Sequence, residues 1–436
     1  MIDSFLRGRR THSATHMRTR IAALAVTLLI GAGCSEDGRE TKSPAVSAAQ
    51  YMFVWTGDSA GKASDFLAVI DASPSSPEYG RVVTTVPTGV SGSHPHHTED
   101  VVAANGHLLA NGFHAGRTWL FDLSSPRAPK ILASFDNAAG FSHPHTFMRL
   151  ANGNVLATFQ YAADRQKGRG MSMNRPHTTG GLVEMDERGG VIRSAGASDS
   201  SIADKRIYPY SVLPIPALDR AVSTTTDMDA SNEKATSQWV QLWRLSDLKL
   251  LRTVELLPGP RRDENQLTGE PRLLADGKSV YIHTFNCGLY LLRGVESGAP
   301  TSMLVHSFKG KNCGVPLRIG SFWLQTVPDA HALVALDISD PEHPREVSTV
   351  DVGDDEQPHW IAADSAGRRI VLNSAGGGSG NRVFIIDFDP KTGALSMDER
   401  FRDPGASRPG VRFSQRSWSP GAAYTAIPHG AVFSLR

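Results

Sequence analysis

Cysteine is scarce in this sequence: three residues in 436, too few for a disulfide scaffold. A surplus of one charge is missing as well. Forty-five Lys and Arg stand against 44 Asp and Glu, a net charge of +1. Nothing is left over to neutralise phosphates, which argues against a nucleic-acid binder. After residue 30 no apolar run resembles a transmembrane span. No stretch of the body keeps a 3.6-residue apolar period. The G-x-S-x-G, C-x-x-C and H-E-x-x-H patterns are absent, and GGGSG at 376–380 has no helix after it to cradle a phosphate. What remains is 40% hydrophobic and 7% aromatic, enough to bury a large core. The 41 Gly and 26 Pro favour a fold with many turns over a helical one.

The N-terminus reads as an address. Arg18 and Arg20 precede an apolar run from Ile21 to Ile30, then Gly31, Ala32, Gly33 and Cys34. That is the layout of a secretory signal, with the run too short to span a bilayer. Small residues ending at a cysteine resemble a bacterial lipobox, in which Cys34 becomes the lipidated first residue; the alternative is ordinary cleavage nearby. Residues 35–49 are polar and small, like a tether. The expectation is a membrane-anchored lipoprotein of the bacterial periplasm: signal over 1–34, tether over 35–49, body over 50–436. The N-terminal lipid would be its one membrane contact. Cys287 and Cys313 then remain, either paired in an oxidising periplasm or free.

The body repeats. A short β-rich run, often ending in Asp before a turn, occurs at 65–74 (DFLAVIDASP), 117–126, 180–189, 239–248, 287–296, 331–340 and 382–391, seven copies in all. A hairpin precedes most copies. Asn105-Gly106, Asn152-Gly153 and Asp276-Gly277 mark its turns, because these residues accept the positive φ of a tight turn. Two strands before the phrase, the phrase itself and one strand after it make a four-stranded antiparallel sheet. Seven such sheets make an all-β, seven-bladed β-propeller. Strands near 51–56, 65–71 and 81–86 lack a fourth partner, and a lone strand near 429–435 supplies it. The N-terminal strands would therefore pair with the C-terminal one and close the ring.

In a propeller the first strand of each blade lines the axis, and its start faces one mouth. Those starts read SHPHHTED (93–100), SHPHTF (142–147), YPYSV (208–212), GEPRLL (269–274), NCGVPL (312–317), QPHWIA (357–362) and IPHGAV (427–432). Proline suits a strand start; it does not explain the histidines. A lone histidine there is ordinarily a rim residue. His96, His97, His143, His145, His359 and His429 converging on one axis are candidate ligands for a shared transition metal. All-imidazole ligation without a thiolate pair leans towards copper, iron or nickel over a structural zinc. Tyr208, Tyr210, Glu270, Arg272 and Cys313 sit at the same mouth and would shape a substrate pocket or hold the ligands. Glu99 closely follows the histidine pair and joins that set. No particular residue is singled out as catalytic.

The stretch DFLAVIDASPSSPEYGRVVTTVP followed by HHTED resembles the opening of the selenium-binding protein family, which includes methanethiol oxidase. SSPRAPKIL (124–132), GGLVEMDERGGVI (180–192) and ALDISDPEHPREV (335–347) resemble it in the same order, so the likeness covers nearly the whole body. The resemblance implies a β-propeller and a periplasmic copper oxidase of a small thiol, with iron or zinc as the alternative metal. Methanethiol, O2 and water would become formaldehyde, sulfide and hydrogen peroxide. The family's metal-binding pair matches His96 and His97, a further histidine falls at His143 or His145, and another matches His429. The family places a cysteine after S-P-x-Y, where this chain has Gly80, which excludes selenium binding through that thiol. A competing expectation is a tethered propeller that binds a partner or a metal without catalysis.

Overall fold

The computed structural model describes residues 50–163, 178–228, 237–374, 380–418 and 423–435. The expected signal, Cys34 and tether lie outside them. Among the described residues no helix is long and apolar enough to cross a membrane.

Seven four-stranded antiparallel sheets form the body, one of them extended by a short fifth strand. The recurring phrase is the third strand out from the axis in every blade: Ser64–Asp71, Arg117–Asp122, Thr179–Met185, Trp239–Arg244, Gly288–Arg293, Ala332–Asp337 and Arg382–Phe388. Its apolar residues are buried between blades. Its closing Asp has a second task. The carboxylates of Asp71, Asp122, Asp186, Asp247, Asp337 and Asp389 each accept an N–H two residues on, at 2.8–3.1 Å. Such Asx turns end the strand and start the reversal to the outer strand. The sequence repeats because this turn repeats.

The innermost strands are Pro95–Thr98, Phe141–Arg149, Pro209–Ile215, Thr268–Leu273, Pro316–Ile319, Pro358–Ala363 and Ala426–Phe433. Each packs beside the next, and the last packs beside the first. Blades are numbered here by the chain order of these strands. The seventh joins both ends of the chain: Tyr51–Asp58, Ser64–Asp71 and Val82–Ser91 pair in order, and Tyr51–Asp58 also pairs with Ala426–Phe433. Trp55, Trp243, Trp323 and Trp360 are fully buried, filling space between the sheets.

Six of the seven inner strands are paired through a bulge near the mouth, as at Pro95/Thr98 and Pro144/Phe147. A bulge re-aims side chains and frees inner-strand N–H groups from the ladder. Side chains of the second strands take up those donors. Asn111 Oδ1 accepts from His97 N at 2.7 Å, Thr158 Oγ1 from Thr146 N at 3.0 Å, and His283 Nδ1 from Glu270 N at 2.9 Å.

Cys287 and Cys313 form a disulfide within an apolar cluster containing Tyr281, Phe308 and Trp323. The cross-link closes a separation of 26 residues. Loop entropy of that length corresponds to about 3 kcal/mol. Replacing both cysteines by serine is expected to lower the unfolding free energy by about that amount, read from denaturant midpoints with and without a reductant. An unchanged midpoint would show that the bridge contributes nothing.

Candidate metal centre

Consecutive residues on a flat strand point to opposite faces. The bulge at the head of the first blade's inner strand lifts that rule, so His96 and His97 are both buried at 2% exposure. Their rings stack 4.4 Å apart and 4° from parallel. His145 arrives from the second blade, 4.8 Å from the His96 ring and 4.3 Å from the His97 ring. His429 arrives from the seventh, 4.1 Å from His96. His359, from the sixth, lies 4.7 Å from His429. Ligand atoms of His96, His97 and His429 all lie within 4.8 Å of one another. Five of the six histidines expected to converge therefore do so.

The exception is His143. Its ring packs 5.1 Å from Tyr161 and 5.5 Å from Phe113 instead. Its backbone has φ +60°, which breaks the alternation that would have set it beside His145. Two other expectations also need correction. Cys313, expected at the pocket, instead pairs with Cys287, one of the two alternatives the sequence left open, and does not line the funnel. Glu99 accepts from Leu109 N at 2.8 Å and pairs with Arg149 at 2.7 Å, a buried structural pair that leaves its carboxylate engaged away from the imidazoles.

Tyr210 and Glu270 do border the cluster. The Tyr210 hydroxyl is 3.3 Å from His97 Nε2, and a Glu270 oxygen is 3.8 Å from His97 Nδ1. Glu270 accepts from Ser211 and Arg272, and Arg272 also reaches Asp100. Tyr208 stands further out, packed on Tyr161. Asn111 and Asn373 were not legible as site residues. Asn111 bonds His97 N and the Pro144 carbonyl, tying two blades together, and Asn373 donates to the His429 carbonyl at 2.5 Å. Their signal is an asparagine next to the end of an otherwise apolar stretch of second strand, in HLLANG and RIVLNS.

Tautomers and charge follow from these contacts. His145 Nδ1 lies 2.8 Å from the Tyr210 carbonyl. A carbonyl only accepts, so Nδ1 carries the proton and Nε2 presents a lone pair. That Nε2 has no partner, and neither do His96 Nδ1, His359 Nε2 or His429 Nδ1. Burial, reinforced by neighbouring imidazoles, holds His96, His97 and His429 well below the ordinary range. Burial pushes His145 down to about 3 and His359 to about 4. The cluster is neutral at pH 7, with lone pairs converging. His283 Nδ1 accepts a backbone N–H, so its proton sits on Nε2, which has no partner either; it offers no lone pair to the cluster. The arrangement suits a transition cation that imidazole binds.

His96, His359 and His429 line a funnel of about 830 Å³, and the His97 and His145 rings lie behind the His96 ring. The funnel walls include Tyr210, Met228, Leu267, Phe285 and Ile427. Gly80, where the resembled family has cysteine, is elsewhere. Its N–H bonds the Asp71 carbonyl, at the far end of the strand whose beginning, Asp65, lines the funnel. At about 3.3 Å per residue the two ends are about 20 Å apart. Gly80 has φ +83°, and a Cβ there would meet the Arg402 carbonyl oxygen at 2.3 Å.

Fold and site together define a seven-bladed propeller with an imidazole-lined axis. The chain is 23% identical to a methanethiol oxidase from Hyphomicrobium sp. over 386 residues, 83% of this chain and 84% of the relative. It is 30% identical to selenium-binding protein 1 of Arabidopsis thaliana over 120 residues, 24% of each chain. A hypothetical selenium-binding protein from Sulfolobus tokodaii superposes with a TM-score of 0.68 at 16% identity, covering 89% of this chain and 94% of that one. A periplasmic gluconolactonase from Pseudomonas aeruginosa shares the fold with a TM-score of 0.58 at 12% identity, over 88% and 98% of the two chains. No family model matches. The chain is thus similar over most of its length to a methanethiol oxidase and over about a quarter of it to a selenium-binding protein.

The buried imidazoles make stability depend on pH. Their pKa values are depressed by folding, so between the folded values and about 6.5 the unfolded chain binds more protons. Stability is full above that window and falls as pH drops through it, by about 1.4 kcal/mol per pH unit for each such imidazole. Denaturant unfolding of metal-free protein from pH 7 to pH 4.5 should show this decline, with His145→Phe reducing the slope. A flat profile would mean that the imidazoles are solvated.

Proposed function

We propose that this chain is an exported, copper-dependent oxidase of a small thiol. The observation that carries the reading is the convergence of neutral, partnerless imidazole nitrogens from the first, second, sixth and seventh blades, those of His96, His359 and His429 at the floor of one funnel and His145 packed beside His96. His96, His97, His145 and His429 would hold the ion, with His359 beside them. Copper in such a site lowers the pKa of a bound thiol and exchanges electrons with O2. The residues of the chain supply the rest. The Tyr210 hydroxyl orients the His97 ring, while Phe285, Leu267, Met228 and Ile427 form an apolar wall that accepts a methyl or longer alkyl group. In the balanced reaction of the methanethiol oxidase relative's kind, methanethiol, dioxygen and water in equal amounts give formaldehyde, hydrogen sulfide and hydrogen peroxide. The methyl carbon is oxidised by two electrons, the C–S bond breaks, and dioxygen takes up both electrons. The protein sulfur missing at Gly80 lies at the other end of its blade, so the imidazole floor is complete without it. Export is supported by the Cys287–Cys313 bridge, a bond that persists in oxidising compartments, and by the N-terminal signal with Cys34 as the lipidated residue.

Elemental analysis after copper reconstitution is expected to find bound copper in the protein and none in His96→Ala/His97→Ala. The reconstituted protein should release peroxide and formaldehyde from methanethiol. Absence of any transition metal would remove the oxidase reading. Copper without peroxide from any small thiol would leave a metal-binding propeller without this catalysis.

A further inference from the structure

The imidazole floor is buried, and a hydrated cation must shed water to reach it. One feature of the funnel lies outside the cluster. His94 and His114 are both exposed and both line the funnel, and their rings are 4.2 Å apart. His94 in turn is 5.6 Å from His96, which lies 4.1 Å from His429 and 4.4 Å from His97. The rings thus make an unbroken series from solvent to the floor.

The pair is held by the backbone. Phe113 N–H donates to the His94 carbonyl at 2.9 Å, and Ala115 N–H donates to the Ser93 carbonyl at 3.3 Å. The loop bearing His114 is therefore fastened to the residues bearing His94. His94 also precedes Pro95 with φ +57°, a left-handed conformation that costs an L-residue about 1–2 kcal/mol and persists only where the surroundings enforce it. The second blade repeats the S-H-P-H sequence, and there His143 has the same φ sign but packs half-buried on Tyr161 and Phe113. The same motif thus serves packing in one blade and faces the funnel in the other.

We propose that His94 and His114 form a capture site for the incoming transition cation, which passes to His96 by ligand exchange and then to the floor. The inference rests on the metal reading of the floor. Imidazole pairs bind copper and other late first-row cations, and each step exchanges one nitrogen donor for another without returning the ion to water. No bond order or oxidation state changes along the way.

The test follows copper uptake, not turnover. Metal-free protein is mixed with copper(II) from a glycine-buffered pool, desalted at intervals and analysed for copper. His94→Ala/His114→Ala is expected to slow incorporation at least about tenfold while reaching the same final copper content. His114→Ala alone, which leaves the His94–Pro95 backbone untouched, should show a smaller slowing in the same direction. Equal rates in wild type and both variants would overturn the capture site and leave the floor as a metal centre. A lower final content with an unchanged rate would also overturn it, making the pair a storage site. Wild-type protein that takes up no copper would overturn the floor reading, and the capture site with it.

Discussion

The pairing of the first strand with the last governs this molecule. Tyr51–Asp58 and Ala426–Phe433 lie side by side in one sheet, and only through that pairing does His429 come within 4.1 Å of His96, more than three hundred residues earlier. A ring closed in this way has no free edge at the seam, so it can hold bulges and buried polar groups at its axis without opening. The bulges turn the heads of the inner strands towards the mouth. The second strands then return hydrogen bonds to the N–H groups that bulging releases.

Desolvation decides the chemistry of what is brought together. Imidazoles in water share protons near neutral pH, but these are held neutral by burial and by one another. A metal ion needs deprotonated ligands, and the fold supplies them. The carboxylate of Glu270, joined to Arg272 and beyond it to Asp100, sets a charge network beside His97. The propeller does not by itself choose the reaction, since the lactonase-like neighbours share the ring. The residues at the mouth carry the functional argument.

Much of this was legible in the sequence. The recurring third strand could be read because an Asp ends six of its seven copies with the same local turn, and local turns write themselves into sequence. The inner-strand windows could be read from their prolines, and five of six converging histidines followed from ring closure alone. What failed to show depends on three-dimensional detail. His143 and His145 are two apart and share a face in any regular strand; the positive φ at His143 separates them. Cys313 was near the mouth in register but faces the neighbouring blade, where it meets Cys287. Glu99 follows His97 by two residues yet belongs to a different network, because Arg149 from the neighbouring blade claims it. Asn111 and Asn373 serve the site through backbone contacts, which leave only an asparagine next to the end of an otherwise apolar stretch.

The proposed centre is one transition metal held at the axis by imidazoles from three blades, with His359 of a fourth beside them. X-ray absorption at the copper edge of the reconstituted protein tests it most directly. The account predicts a nitrogen shell with the outer-shell scattering of imidazole rings, lost in the His96→Ala/His97→Ala protein. A shell dominated by oxygen or sulfur, or an imidazole signal that survives removal of both residues, would contradict it.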